Sequence, residues 1–130
     1  MHAGWKGTLN NISKNAIKLF DKYNIKSGDL EAIIGPCLST KNYEVDKKFE
    51  KKFINKKLEY SKFFKNKNKN KSLFNLRGIL RYQLQQLGLK RIHNINLDTY
   101  ANESLFFSHR RSTHKGKISS GRLINIISLT

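Results

Sequence analysis

The chain has 130 residues, 26 Lys+Arg against 9 Asp+Glu, and a formal net charge of +17. Its single Cys excludes an internal disulfide and fits a reducing compartment. Hydrophobic residues at 38% and aromatics at 11% exclude a disordered polycation, and no apolar run approaches the length of a membrane span.

Residues 8–24 place Ile12, Ala16, Leu19, Phe20 and Tyr23 at helical spacing, which predicts one amphipathic helix with Thr8 as its N-cap. Ser27-Gly28-Asp29 then interrupts the chain, and residues 30–34 read as a short buried strand ending at Gly35-Pro36. Lys41 to Val45 reads as a turn or extended piece. Asp46 can cap a helix from 47 to about 57, marked by Phe49, Phe53 and Ile54. The run 65–71 alternates Lys and Asn with no apolar residue, so it reads as a solvated loop or a frayed helix end. Asn75 can cap a second helix, 76–87, with Leu76, Ile79, Leu80, Leu84 and Leu87 as its stripe and Gly88 just beyond. Residues 91–97 read as a strand, 105–108 as a short extended piece, and the β-branched run 122–129 as a largely buried strand. This order predicts a single α+β (mixed α/β) domain over 1–130.

The charge has two readings. Clustered cations release counterions from nucleic-acid phosphate. Yet 20 of the 26 basic residues are Lys, whereas base-edge recognition favours Arg. Residues 65–71 also lack interleaved aromatics, which argues against a nucleic-acid partner. Lys/Asn compositional drift concentrated in one surface segment accounts for the charge, with steering of an anionic ligand as a secondary role.

Three segments carry residues suited to chemistry. In HAGWKG, His2 is a candidate metal ligand or acid/base, Gly4 and Gly7 permit close backbone approach to an anion, and Trp5 offers a stacking face. Cys37, in IIGPC past a strand end, is a candidate nucleophile or ligand or else an inert buried residue, and Tyr43 and Glu44 follow close by. In FFSHRR, an extended backbone would turn Phe107, His109 and Arg111 to one side and Phe106, Ser108 and Arg110 to the other. One of the two arginines could then form a fork for phosphate or carboxylate. His93 reads as a packed or edge histidine on its strand.

HAGWKGT at 2–8, IIGPCLSTKNYEV at 33–45, LFNLRGILRYQLQQLGL at 73–89 and FFSHRRSTHKGKISSGR at 106–122 together resemble the laccase-domain family, also called YfiH-like, multicopper polyphenol oxidoreductase or peptidoglycan editing factor proteins. The resemblance implies a layered arrangement of mixed sheets with flanking helices. It also implies a zinc-dependent purine nucleoside phosphorylase acting on adenosine, inosine, guanosine and methylthioadenosine, with adenosine deaminase activity; a cytoplasmic location is the expectation from the single Cys and the absence of a membrane-length apolar run. Zinc is the implied cofactor, with copper as the alternative. Purine nucleoside and phosphate are the implied partners, with no membrane, and the oligomeric state is left open. The family's metal site takes a His from an early segment, a Cys from a middle segment and the His of the HAGW motif. Only the last has a counterpart here, His2. Members run to about twice this length, so the resemblance implies a C-terminal portion, incomplete at the N-terminus and nearly inactive alone. Cys37 matches the IGPC cysteine, which is not the family's metal-ligand cysteine. His109 stands where Tyr is common and Asn75 where Asp is common. Arg110, Arg111, Trp5 and Tyr43 are substrate-binding candidates from their residue chemistry, and no residue is assigned a catalytic role. A cell-wall precursor hydrolase would share the same site, and a basic nucleic-acid-binding module is the reading from another class.

Overall fold

The computed structural model describes residues 1–128. The elements run α1 (Trp5–Leu9), α2 (Ile12–Asp21), β1 (Glu31–Ile34), β2 (Glu44–Asp46), α3 (Lys47–Lys56), β3 (Phe64–Asn66), β4 (Lys71–Phe74), α4 (Leu76–Gln86), β5 (Arg91–Asn94) and α5 (His109–His114), with short 3-10 turns between some of them. β1 and β5 pair in parallel with Ala32 opposite Ile92, and β2, β4 and β3 form an antiparallel sheet in that order. The mixed α/β class predicted from the sequence is the one observed.

Local chemistry sets the middle of the chain. Asp46 accepts from the Phe49 amide at 2.7 Å and starts α3 as expected of an N-cap. Asn75 accepts from the Gly78 amide at 2.8 Å and starts α4. Gly88, at φ 92°, takes the left-handed conformation beyond the end of α4 that a side chain would resist. The core lies between α4, α3 and the antiparallel sheet, where Phe53, Phe74 and Ile79 are fully buried and Phe64 stacks on Phe74 at 4.8 Å.

Four predicted elements differ from the structure. The single helix expected over 8–24 is two helices broken at Asn10-Asn11. Asn11 adopts φ 52°, which Asn tolerates better than most residues, and it caps α2 in place of Thr8. Thr8 is buried inside α1, where its hydroxyl faces the Ala3 carbonyl. The break also rotates the inward stripe onto Ser13 and Ile17, and leaves Leu19 and Tyr23 in solvent. The Lys/Asn run is exposed over 65–70 but ordered as the tip of the β3–β4 hairpin. There the Asn68 side chain accepts from the amides of Asn70 and Lys71, both at 3.0 Å. Residues 105–108 form no strand, and the extended backbone expected through the Arg pair ends at Ser108, which accepts from the Arg111 amide and caps α5. The strand expected over 122–129 does not form among the described residues, and position 129 lies outside them. Ile124 and Ile126 are 86% and 89% exposed. β-branched residues favour a strand only where a neighbouring edge is available, and no described strand reaches this segment.

Candidate functional site

The HAGWKG loop is fastened to the core from behind. Gln83 is buried on α4, and its amide donates to the Thr8 carbonyl at 2.8 Å and to the Tyr60 hydroxyl at 3.0 Å. This clamp fixes α1, and α1 begins at Trp5. The Trp5 ring packs on Phe49 at 5.1 Å, with the Lys6 and Lys52 ammonium groups each 5.6 Å from its centre. Tyr43, following the 3-10 turn Thr40–Asn42, also meets Phe49, at 6.4 Å, and sets its edge on Phe74 at 5.2 Å. The Arg110 guanidinium lies 5.4 Å from the Tyr43 ring centre and donates to the Glu44 carbonyl at 2.9 Å. Trp5 and Tyr43 therefore meet on Phe49, and Arg110, far from both in the sequence, joins them through the Tyr43 ring. Burial pushes the Tyr43 hydroxyl above its usual range, and the Arg110 charge partly opposes that rise.

Arg111 goes elsewhere. In a helix adjacent residues point about 100° apart, and Arg111 faces back into its own loop. It donates to the carbonyls of Thr99 at 2.7 Å, Tyr100 at 2.9 Å and Phe106, and its side chain is 12% exposed. Of the two arginines, Arg110 keeps more of its donors uncommitted.

His2 is exposed, and no group of three His, Cys, Asp or Glu side chains able to hold a metal occurs among the described residues. The donor set needed for a zinc or copper site is therefore not assembled by this chain's described residues, and His2 is at most one member of it. His93 is exposed and pairs with Glu31 at 2.6 Å.

Cys37 is half-buried. Burial raises its thiol above the usual 9.0, the Arg77 charge opposes this, and Asp98 adds to it. It is thus a neutral thiol near pH 7 and a poor nucleophile. Its backbone forms a parallel bridge to Asp98.

Two features escape the sequence reading. Asp98 is buried and accepts from Ser39, from Asn42 at 2.6 Å and from the Tyr100 amide at 2.7 Å. Burial alone would raise its carboxyl, but these donors outweigh it and hold the group below its usual range. An Asp followed by a turn was the available signal. The second is a cleft of about 470 Å³ between segment 38–41 and the start of α4, containing Lys41, Arg77 and Arg81. Arg at i and i+4 on the polar side of α4 was its signal.

A purine nucleoside phosphorylase of Rickettsia prowazekii is 41% identical over 115 residues, covering 87% of this chain and 47% of the relative. One from Staphylococcus epidermidis is 31% identical over 128 residues, covering 97% and 46%. The crystal structure of hypothetical protein YfiH from Bacillus licheniformis superposes with a TM-score of 0.80 at 31% identity, over 88% of this chain and 44% of that one. YlmD from Geobacillus stearothermophilus gives 0.76 at 26% identity, over 92% and 45%. The chain spans about half the length of the curated relatives it matches. The family model for multi-copper polyphenol oxidoreductase laccases matches residues 1–130, from the HAGW loop through the Arg pair, and the chain belongs to that family.

Proposed function

We propose that this chain forms one wall of a purine nucleoside phosphorolysis site. The observation that supports this is the meeting of Trp5 and Tyr43 on Phe49 with the Arg110 guanidinium against the Tyr43 ring, which joins an aromatic cluster to a cation. Phosphorolysis needs both features: a flat surface for the base and a cation for the attacking phosphate. In this reading Trp5 stacks the purine. Tyr43 carries Arg110 against its ring, and Arg110 holds phosphate for attack on the anomeric carbon of the ribose. Arg111 shapes the loop from which Arg110 projects. The curated relatives bear the name purine nucleoside phosphorylase, which agrees with this assignment.

Adenosine, inosine, guanosine and methylthioadenosine are the proposed substrates, with adenosine deamination as a further activity of the same site. His2 is proposed as a single donor to a zinc ion, the other donors coming from outside this chain. Because the described residues assemble no metal site, none of the roles above runs through the metal.

Trp5 is the only tryptophan, so intrinsic fluorescence reports on it alone. Adenosine is expected to quench this fluorescence, and phosphate is expected to strengthen the quench in the natural chain but not in Arg110→Met. Purified chain is expected to hold substoichiometric zinc and to release almost no adenine from adenosine and phosphate. No quench by adenosine overturns the assignment, and turnover equal to that of the Rickettsia prowazekii relative overturns the reading that this chain supplies only one wall of the site.

A further inference from the structure

The parallel pair β1–β5 has one face bare. Parallel strands are stable in sheets of several strands with both faces covered. Among the described residues this sheet stops at two strands. α4 packs on one face, where Ile34 and Ile92 are buried. Side chains alternate along a strand, so Ile33 points to the opposite face, and it is 52% exposed. Ile95 and Leu97, just beyond β5, are 42% and 40% exposed.

The run 122–128 passes the end of this sheet without joining it. Gly121 is pressed on the Phe107 ring, where an added Cβ would meet ring carbons at 2.6 Å. Asn125 reaches Gly35, one residue past the end of β1, where an added Cβ would lie 3.6 Å from Asn125 Oδ1. No described strand runs alongside, and the backbone of 122–128 makes no hydrogen bond to a described residue. Ile124 and Ile126 fall on one side of the run, Leu123 and Ile127 on the other, and all four are exposed. An extended segment apolar on both sides has the pattern of a strand covered on both faces.

We infer that the bare face of β1–β5 and the run 122–128 form one docking surface, and that its occupant is a polypeptide equivalent to the part of the relatives lying outside their match to this chain. On docking, 122–128 becomes a strand by pairing with that polypeptide. The occupant is chosen by length. Relatives that match 87% and 97% of this chain carry more than half of their own length outside the match, and the superposed YfiH structure is covered over only 44%. In them this fold comes with a further body of comparable size, which is what a bare sheet face and an unpaired apolar run require. A second copy of the chain supplies no element that the first lacks. The inference rests on the reading that this chain is one wall of its site, but it concerns assembly. A complex without phosphorolysis faults the activity assignment alone, and the absence of a complex faults this surface whatever the activity.

The probe is the part of the Rickettsia prowazekii relative outside the match, co-expressed with the full chain under an affinity tag, and also fused to it in the relative's own order. A one-to-one complex is expected by size exclusion with light scattering. Hydrogen exchange at the amides of 123–128 is expected to be about 10-fold or more slower in the complex and the fusion than in the chain alone. Ile124→Asp/Ile126→Asp changes two side chains that are exposed in the chain alone, so it is expected to leave that chain's Tm within about 2 °C. It is expected to weaken the complex about 10-fold or more, because docking then buries two carboxylates. Leu58→Asp, at an exposed apolar side chain in the turn Leu58–Phe63, is expected to change neither quantity. Unslowed exchange of 123–128 wherever the two parts are joined, self-association of the chain that excludes the probe, or equal weakening by Leu58→Asp overturns the inference.

Discussion

Two adjacent arginines in this chain are assigned opposite duties, and substituting each with Met separates them. The Arg111 guanidinium serves the carbonyls of Thr99, Tyr100 and Phe106 and is 12% exposed. A hydrogen bond from a charged group contributes about 1.5–3 kcal/mol when its loss strands a buried partner. Only Thr99 is buried; Tyr100 and Phe106 are partly exposed, so water can reach their carbonyls once the side chain is gone. The ion pair from Arg111 Nε to Glu103, at 3.6 Å, adds little, because Glu103 is exposed. Arg111→Met is therefore expected to cost about 2–4 kcal/mol, the strong bond to Thr99 plus a fraction of the other two. For a chain of this size that is a fall in Tm of roughly 6–16 °C. Arg110→Met removes one bond to the Glu44 carbonyl and a contact with the Tyr43 ring, and is expected to cost no more than about 1–1.5 kcal/mol. Thermal melts followed by circular dichroism measure both. An Arg111→Met chain melting within about 2 °C of the natural one, or an Arg110→Met chain that is the less stable of the two, refutes the division.

Acid should act through Asp98 and Glu50. Burial would raise both carboxyls, but hydrogen bonds outweigh it, from Ser39 and Asn42 onto Asp98 and from Ser72 and Lys47 onto Glu50, so both sit below their ordinary values of 3.8 and 4.5. A lowered folded-state pKa gives stability that is present above the ordinary value and is lost as pH falls through the folded one. Tm is thus expected to hold down to about pH 5 and to drop below it, and the deficit of Asp98→Asn at pH 7 should shrink toward pH 3. A deficit that stays constant over that range contradicts the linkage. Cys37, whose thiol is raised by burial, is expected to react with iodoacetamide at pH 7.5 about 10-fold or more slowly than free glutathione. Labelling at the free-thiol rate removes the inert reading.

The elements legible in the sequence are those whose cause is local. Asp46 sits three residues before Phe49 and Asn75 one before Leu76, and each can bond an amide three residues on, so α3 and α4 start where expected. The failures share a different cause. Asn11 leaves the apolar period of 12–23 intact while its own φ breaks the helix, so a pattern that counts only hydrophobic positions misses the break. The run 122–128 has strand propensity without a described edge to pair with. Propensity reports what a residue prefers, and pairing is a property of what lies beside it.

The same division runs through the candidate site. HAGWKG, Cys37 and the Arg pair were visible as segments because their residue types are chemically pointed. Their grouping was not visible, since Phe49, which Trp5 and Tyr43 both meet, looked like one core residue of α3. Nor could spacing separate Arg110 from Arg111. An extended backbone would set them on opposite faces, whereas the helix capped by Ser108 turns one toward Tyr43 and the other into a ring of carbonyls. The net charge of +17 resolves in the same way. The Lys/Asn hairpin, the densest positive run in sequence, presents its cations to solvent over 65–70, where salt screens them. Lys41, Arg77 and Arg81 lie up to 40 positions apart yet line one cleft. Charge density along the chain is thus a poor guide to where an anion is held. Enclosure decides it, because it sets how much of the attraction survives in water.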